Sequence, residues 1–177
     1  AVYLNMGTQF PIYTETIPRT AAAAFNAGKP WVIDPVGIGI GKQRSDLLLE
    51  VKQYKPTIIR GNASEIIALA GLWDVAGTAE DLSRARGVDS TDEVASARDA
   101  AVALARYTGG AVAVSGEVDL VTDGSVVAYS HGGSSLMSKV TGFGCSQGGV
   151  LAVYACVADP FTAALAGVAH YNKAEIG

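Results

Sequence analysis

The stretch Thr57-Ile-Ile-Arg-Gly-Asn-Ala-Ser-Glu-Ile-Ile-Ala-Leu-Ala-Gly71 changes its hydrophobic pattern in the middle. Thr57-Ile58-Ile59 is a compact, β-branched run, which predicts a buried strand ending at Arg60-Gly61. Asn62 is a helix-opening residue, and Glu65 follows at the spacing of a capping box. Apolar residues continue to Ala70, and Gly71 lies beyond the predicted helix end. A strand thus passes into a helix across a corner that carries one charge and one glycine.

The pattern repeats outward. Val2 to Asn5 reads as a strand and Thr14 to Ala27 as a helix, with Pro18 near its start or at a kink. Trp31-Val32-Ile33 is a buried strand ending at Asp34-Pro35, and Ser45 to Gln53 has helical spacing. Residues 72–91 read as a long surface connection. Ser90 and Glu93 match a capping box, opening a helix to about Tyr107 that stops at Gly109-Gly110. Ala111 to Ser115 is a strand. Leu120 to Thr122 and Val126 to Tyr129 flank Asp123-Gly124, a hairpin signal. Gly142-Phe-Gly-Cys145 leads into an apolar helix to about Ala158, and Pro160 to about Asn172 is a last helix. Strands alternating with helices predict an α/β fold of three layers: a mostly parallel central sheet with helices on both faces and an antiparallel hairpin near its end.

The chain has 177 residues, room for a single domain (1–177) with a sizeable core. A hydrophobic fraction of 49% and a charged fraction of 17% mark a globular composition. Net charge is −4 without a basic stretch, which argues against nucleic acid as a main ligand. No apolar run is long enough to span a membrane, and the first ten residues lack the features of a signal peptide. Cys145 and Cys156 are 11 positions apart in what reads as one helix, about 16 Å, too far to bridge. A reduced, cytoplasmic setting is expected, and with two Cys and two His any metal should be a hard cation on oxygen ligands.

Ligands of open α/β sheets bind at the carboxyl ends of the strands. Three buried strands here end in polar or glycine-rich clusters: Asp34-Pro-Val-Gly, Arg60-Gly-Asn and Ser115-Gly-Glu-Val-Asp. Sharing one edge, they would supply a carboxylate, a cation and a hydroxyl, as a nucleotide with magnesium requires. The glycine run from Gly37 to Gly41, followed by Lys42-Gln43, misses the Walker spacing, and neither it nor Gly142 to Gly148 fits the dinucleotide fingerprint. Gly142-Phe-Gly144-Cys145 before a helix offers free N–H groups and a positive dipole end to an anion, with Cys145 in the first turn. Cys145 also reads as a small buried residue after a tight turn, and Glu65 as a simple cap completing the Asn62 box. Asp119 and Asp123 read as turn residues, His131 and His170 as isolated, and Tyr107, Tyr154 and Tyr171 as helix packing.

Six segments, in order, resemble the hydroxyethylthiazole kinase family of ribokinase-like enzymes. They are Leu4-Asn-Met-Gly-Thr8, Val32-Ile-Asp34-Pro-Val-Gly37, Arg60-Gly-Asn-Ala-Ser-Glu65, Arg86-Gly-Val-Asp89, Ser115-Gly-Glu-Val-Asp119 and Lys139-Val-Thr-Gly-Phe-Gly-Cys145. Cys145 is the most specific match, since most ribokinase-like kinases carry aspartate there. The resemblance implies ATP-dependent phosphorylation of the primary alcohol of 4-methyl-5-(2-hydroxyethyl)thiazole. It implies Mg²⁺ handled by Asp34 and Glu65, directly or through water, and ATP contacts from Arg60, Ser115, Asn62 and Gly116. It places Gly142 against the substrate, Gly142 to Cys145, including Gly144, around the transferred phosphoryl group, and Cys145 beside the substrate hydroxyl. It implies a homotrimer. Ser115 stands where the family usually has Thr, and Phe143 where it has a small residue. Family members extend further at both ends, so residues 1–177 are expected to be the middle portion of a longer domain. Two other readings are a hydroxymethylpyrimidine kinase or NAD(P)H-hydrate dehydratase of the same fold, and a truncated non-catalytic paralogue that binds nucleotide. Cys145 argues against the former, because those relatives carry Asp there.

Overall fold

A computed structural model describes residues 1–75, 90–132 and 140–174. The elements are β1 (Val2–Asn5), α1 (Tyr13–Asn26), β2 (Trp31–Asp34), α2 (Lys42–Val51), a 3₁₀ turn (Lys52–Tyr54), β3 (Ile58–Asn62) and α3 (Ala63–Leu72). They continue with α4 (Ser90–Thr108), β4 (Ala111–Ser115), β5 (Val118–Thr122), β6 (Val127–His131), α5 (Phe143–Tyr154) and α6 (Pro160–Ala174). The six strands form one sheet in the order β1-β2-β3-β4-β5-β6. The pairs from β1 to β4 are parallel, and β4-β5 and β5-β6 are antiparallel. The expected mostly parallel sheet with an antiparallel hairpin is therefore present.

Strand order explains the layers. Each parallel strand is laid beside its predecessor in the same direction, so right-handed crossovers put every connecting helix on one face. Helices α1 to α4 cover that face, with Ile33, Ile59, Val112 and Leu104 in its core. The alternate strand residues, Val32, Ile58, Ala111 and Ala113, point to the opposite face. That face is covered only after the hairpin, where α5 returns over β1, β2 and β3 and α6 lies over β4, β5 and β6. The return of α5 carries its N-terminal turn to the middle of the parallel strands.

Several boundaries differ from the sequence reading. α5 ends at Tyr154, short of Ala158, so Cys156 lies in the turn beyond it and the cysteines do not share a helix. Both are free thiols. α2 begins at Lys42, three residues before Ser45, because Gly41 with φ +79° ends the preceding loop there. Pro18 lies inside α1, buried beside Ile17. Asp119 is a buried carboxylate, not a turn residue: it accepts from the Gly116 N–H at 2.9 Å and from Asn172 Nδ2 at 2.8 Å, pinning α6 to the start of β5. Asp123 is a turn residue, accepting the Ser125 and Val126 N–H groups, which lower its pKa. His170 bonds Tyr154, His131 is exposed, and Tyr107 packs on Trp73. The segment Arg86-Gly-Val-Asp89, Lys139, residues 76–89 of the surface connection and the side chains of the Ser90–Glu93 cap lie outside the described residues.

Gly109-Gly110 serves two purposes. Gly109 takes φ +71° to end α4, and Gly110 passes so close to β3 that a Cβ would lie 2.2 Å from the Thr57 carbonyl oxygen. That neighbour is backbone and cannot rotate away. Replacing Gly110 with Ala is expected to cost about 1–3 kcal/mol of stability, read as a lower urea midpoint at unchanged m-value.

Candidate functional site

The parallel register brings Asn5 beside Asp34 and Asn62 beside Ser115, so the polar strand ends share one edge. Arg60 is the hub. It is 7% exposed, and each of its nitrogens has a partner from a different element. Nη1 donates to Asp34 Oδ2 at 2.9 Å, Nη2 to Ser115 Oγ at 2.9 Å, and Nε to Gln147 Oε1 at 3.2 Å. A buried guanidinium needs both a counter-charge and acceptors, and β2, β4 and α5 provide them. Gly144 is required by the same packing, since a Cβ there would lie 2.7 Å from Arg60 Nη2.

Asp34 is wholly buried. Oδ2 takes the Arg60 bond and a 3.2 Å contact from the Tyr3 hydroxyl, while buried Oδ1 has no hydrogen-bond partner among the described residues. Burial pushes its pKa up to about 6 against the opposing pull of the Arg60 guanidinium, and the Glu65 charge adds to the rise. Tyr3 also donates to the Cys145 carbonyl at 2.6 Å and accepts from Asn5 Nδ2 at 2.8 Å. Burial and the Asp34 charge push its phenol well above the usual range.

Above these groups lies the first turn of α5. Gly142 adopts φ +80° at the N-cap, a conformation that favours glycine, and no side chain caps the helix. The N–H groups of Gly144 and Cys145 have no hydrogen-bond acceptor among the described residues. Cys145 is half-buried in this turn, as expected. The Phe143 and Tyr171 rings meet at a tilt of 43° with centroids 4.8 Å apart, and the Tyr171 hydroxyl donates to the Phe143 carbonyl at 2.7 Å. Tyr171 therefore braces this turn as well as packing its own helix.

At the neighbouring corner the full capping box forms. Asn62 Oδ1 accepts the Glu65 N–H and Glu65 Oε2 accepts the Asn62 N–H, both at 2.9 Å. Glu65 is thus a cap whose charge still reaches Asp34. Gly116 is exposed beside Ser115 with its N–H on Asp119. The structure brings Asp34, Arg60, Ser115, Gly144 and Cys145 together, with Asn62, Glu65 and Gly116 at the margin.

Four participants escaped the sequence reading. Tyr3 and Asn5 alternate with Val2 and Leu4, a period-two signal that puts them on the α5 face. Gln147 is one of the few polar residues in an apolar helix. Arg44 had no signal beyond its place next to Lys42-Gln43. It donates to the carbonyls of Met6 at 2.7 Å, Gly7 at 2.6 Å and Ile40 at 2.5 Å, tying the loops after β1 and β2 together. Gly37, which opens the glycine run, lies against this guanidinium: a Cβ there would be 3.3 Å from Arg44 Cζ.

A sequence model described as the hydroxyethylthiazole kinase family matches residues 1–176. The chain belongs to that family. A hydroxyethylthiazole kinase of Bifidobacterium longum (strain DJO10A) is 48% identical over 191 aligned positions, covering 98% of this chain and 61% of the relative. One from Cereibacter sphaeroides (strain ATCC 17029 / ATH 2.4.9) is 44% identical, covering 98% of this chain and 63% of the relative. The chain thus spans a little under two thirds of the length of these curated relatives. Among solved structures, the hydroxyethylthiazole kinase protein from Pyrococcus horikoshii OT3 superposes with a TM-score of 0.77 at 29% identity, covering 95% of this chain and 59% of that one. A Staphylococcus aureus pyridoxal kinase in complex with AMP-PCP has a TM-score of 0.66 at 18% identity, covering 98% of this chain and 62% of that one, and shows the ribokinase-like fold.

The described residues hold no cluster of three or more His, Cys, Asp or Glu fit for a metal. Mg²⁺ keeps several waters and commonly takes one or two carboxylates plus substrate phosphates. Asp34, with its orphaned Oδ1, and Glu65, whose Oε2 alone is used by the cap, fit that sparser pattern.

The Asp34 shift carries a sign that can be measured. Between pH 4 and 6 the unfolded chain has lost the proton that folded Asp34, with its pKa near 6, still holds. The folded state binds more protons there, so the Asp34 contribution to stability falls as pH rises through this window and levels off above it. In metal-free buffer, Asp34→Asn is expected to remove that component from the pH dependence of the urea midpoint. An unchanged profile would show that Asp34 is ionised throughout.

Proposed function

We propose that this chain is the catalytic portion, part of a single ribokinase-like domain, of an ATP-dependent kinase. Its substrate is the primary alcohol of 4-methyl-5-(2-hydroxyethyl)thiazole and its product the thiazole phosphate used in thiamin biosynthesis and salvage. The observation that carries this reading is the meeting of Asp34, Arg60 and Ser115 beneath the open first turn of α5, in a chain of this family.

Phosphoryl transfer depends mainly on positioning and on stabilising charge on the transferred group. The Gly144 and Cys145 N–H groups, with the positive end of the α5 dipole, form the cradle for that charge, and Gly142 lies against the substrate. Arg60 is already bonded within the protein, so it offers a fixed positive field to the ATP phosphates more than a mobile clamp. Ser115, Asn62 and Gly116 line the nucleotide side. The substrate hydroxyl attacks the γ-phosphorus, the bond to the β-phosphate oxygen breaks, and ADP leaves. Cys145 sits beside the hydroxyl, where a weak base suffices. When bound, Mg²⁺ would neutralise phosphate charge; Asp34, being buried, and Glu65 would hold it through water. A cytoplasmic homotrimer without a nucleic-acid or membrane partner completes the reading. Among the described residues no helix is long and apolar enough to cross a membrane.

Coupled ADP release, measured on the complete gene product with Mg²⁺ and ATP, is expected to depend on the thiazole alcohol and not on hydroxymethylpyrimidine. Asp34→Ala is expected to reduce that turnover at least about a thousandfold, since it removes one carboxylate and leaves Arg60 without its counter-charge. Wild-type rates in this variant would overturn the assignment of the site.

A further inference from the structure

We propose that Tyr3 is a positioning residue for the reaction: its hydroxyl fastens the first turn of α5 to β1, setting the height of the phosphoryl cradle above the strand ends. This rests on the kinase reading given above.

A phenol has one proton to give. Asn5 Nδ2 donates into the Tyr3 oxygen at 2.8 Å, which turns the hydroxyl proton elsewhere. The two acceptors within reach are the Cys145 carbonyl at 2.6 Å and Asp34 Oδ2 at 3.2 Å. The shorter distance assigns the proton to Cys145. The bond therefore ends on the residue whose own N–H forms part of the cradle. Asn5 is itself held, because its Oδ1 accepts the Gly7 N–H at 2.8 Å. The loop after β1 thus reaches the cradle through Gly7, Asn5 and Tyr3.

The helix is shaped to receive this side chain. A Cβ on Gly148 would lie 2.3 Å from Tyr3 Cε2, just as one on Gly144 would lie 2.7 Å from Arg60 Nη2. Two glycines one helical turn apart let α5 descend onto Tyr3 and Arg60 together. Arg60 grips the helix through Gln147, and Tyr3 grips it through the Cys145 main chain. Only the second grip acts directly on the backbone of the first turn.

A cradle displaced by a few tenths of an ångström loses most where charge develops, in the transition state, and least in the bound ground state. Tyr3→Phe keeps the ring against Gly148 and removes only the hydroxyl. In the complete gene product it is expected to lower kcat about tenfold, with the KM values for ATP and for the thiazole alcohol within twofold of wild type. Amide hydrogen exchange in the segment 143–150 is expected to quicken severalfold, with exchange in β2 and β3 unchanged. Wild-type kcat, a rise in KM alone, or unaltered exchange in 143–150 would each overturn the proposal. Absence of alcohol-dependent ADP release in the wild-type protein would instead overturn the kinase reading, and the exchange comparison would still decide whether Tyr3 holds the turn.

Discussion

A guanidinium buried where three elements meet governs the rest of this structure. Arg60 projects from the middle of β3 with too little solvent to satisfy it, so its neighbours must. Asp34 supplies the charge, Ser115 and Gln147 supply acceptors, and each comes from a different element. Removing any partner leaves a buried donor or an uncompensated charge, whereas the complete set holds β2, β3, β4 and α5 in one arrangement. Gly144 is the steric counterpart of this demand, since any side chain there would displace the guanidinium.

The same cluster explains why Asp34 holds its proton unusually well. A carboxylate paired with arginine at a surface would ionise readily. Here burial outweighs the pair: Arg60 and Tyr3 both address Oδ2, and among the described residues Oδ1 has no donor. Among the described residues the site concentrates unmet polar capacity, an orphaned oxygen below and unpaired N–H groups above, at the place where the strands end. Arg44 completes the frame from the other side, spending its donors on main-chain carbonyls of two loops.

Much of this was legible residue by residue. The apolar runs at Trp31, Ile58 and Ala111 become parallel strands because buried parallel strands are apolar on both faces. Asn62 and Glu65 form the capping box their spacing implies, because both bonds are local. Asp123-Gly124 turns the hairpin for the same reason. Local patterns failed where a distant partner intervened. Asp119 resembles a turn residue but is claimed by Asn172, more than fifty residues away in sequence. The end of α5 at Tyr154 carries no proline or capping signal in its own sequence. Tyr3 passed as one more apolar residue of a short strand because its acceptor lies 142 positions later.

The α/β order, the Asn62–Glu65 cap, the polar strand ends and the family resemblance follow from the chain alone, because each depends on neighbours within a few residues or on motifs in chain order. Tertiary structure decided which groups meet. Successive right-handed crossovers fill one face of the sheet first, and α5 must return across the other to cover it. That return sets Cys145 and Gly144 over Arg60, Asp34 and Tyr3. Long-range hydrogen bonds of this kind leave no periodic trace in the chain, since either partner alone looks like an ordinary polar residue until packing removes the water that would otherwise satisfy it.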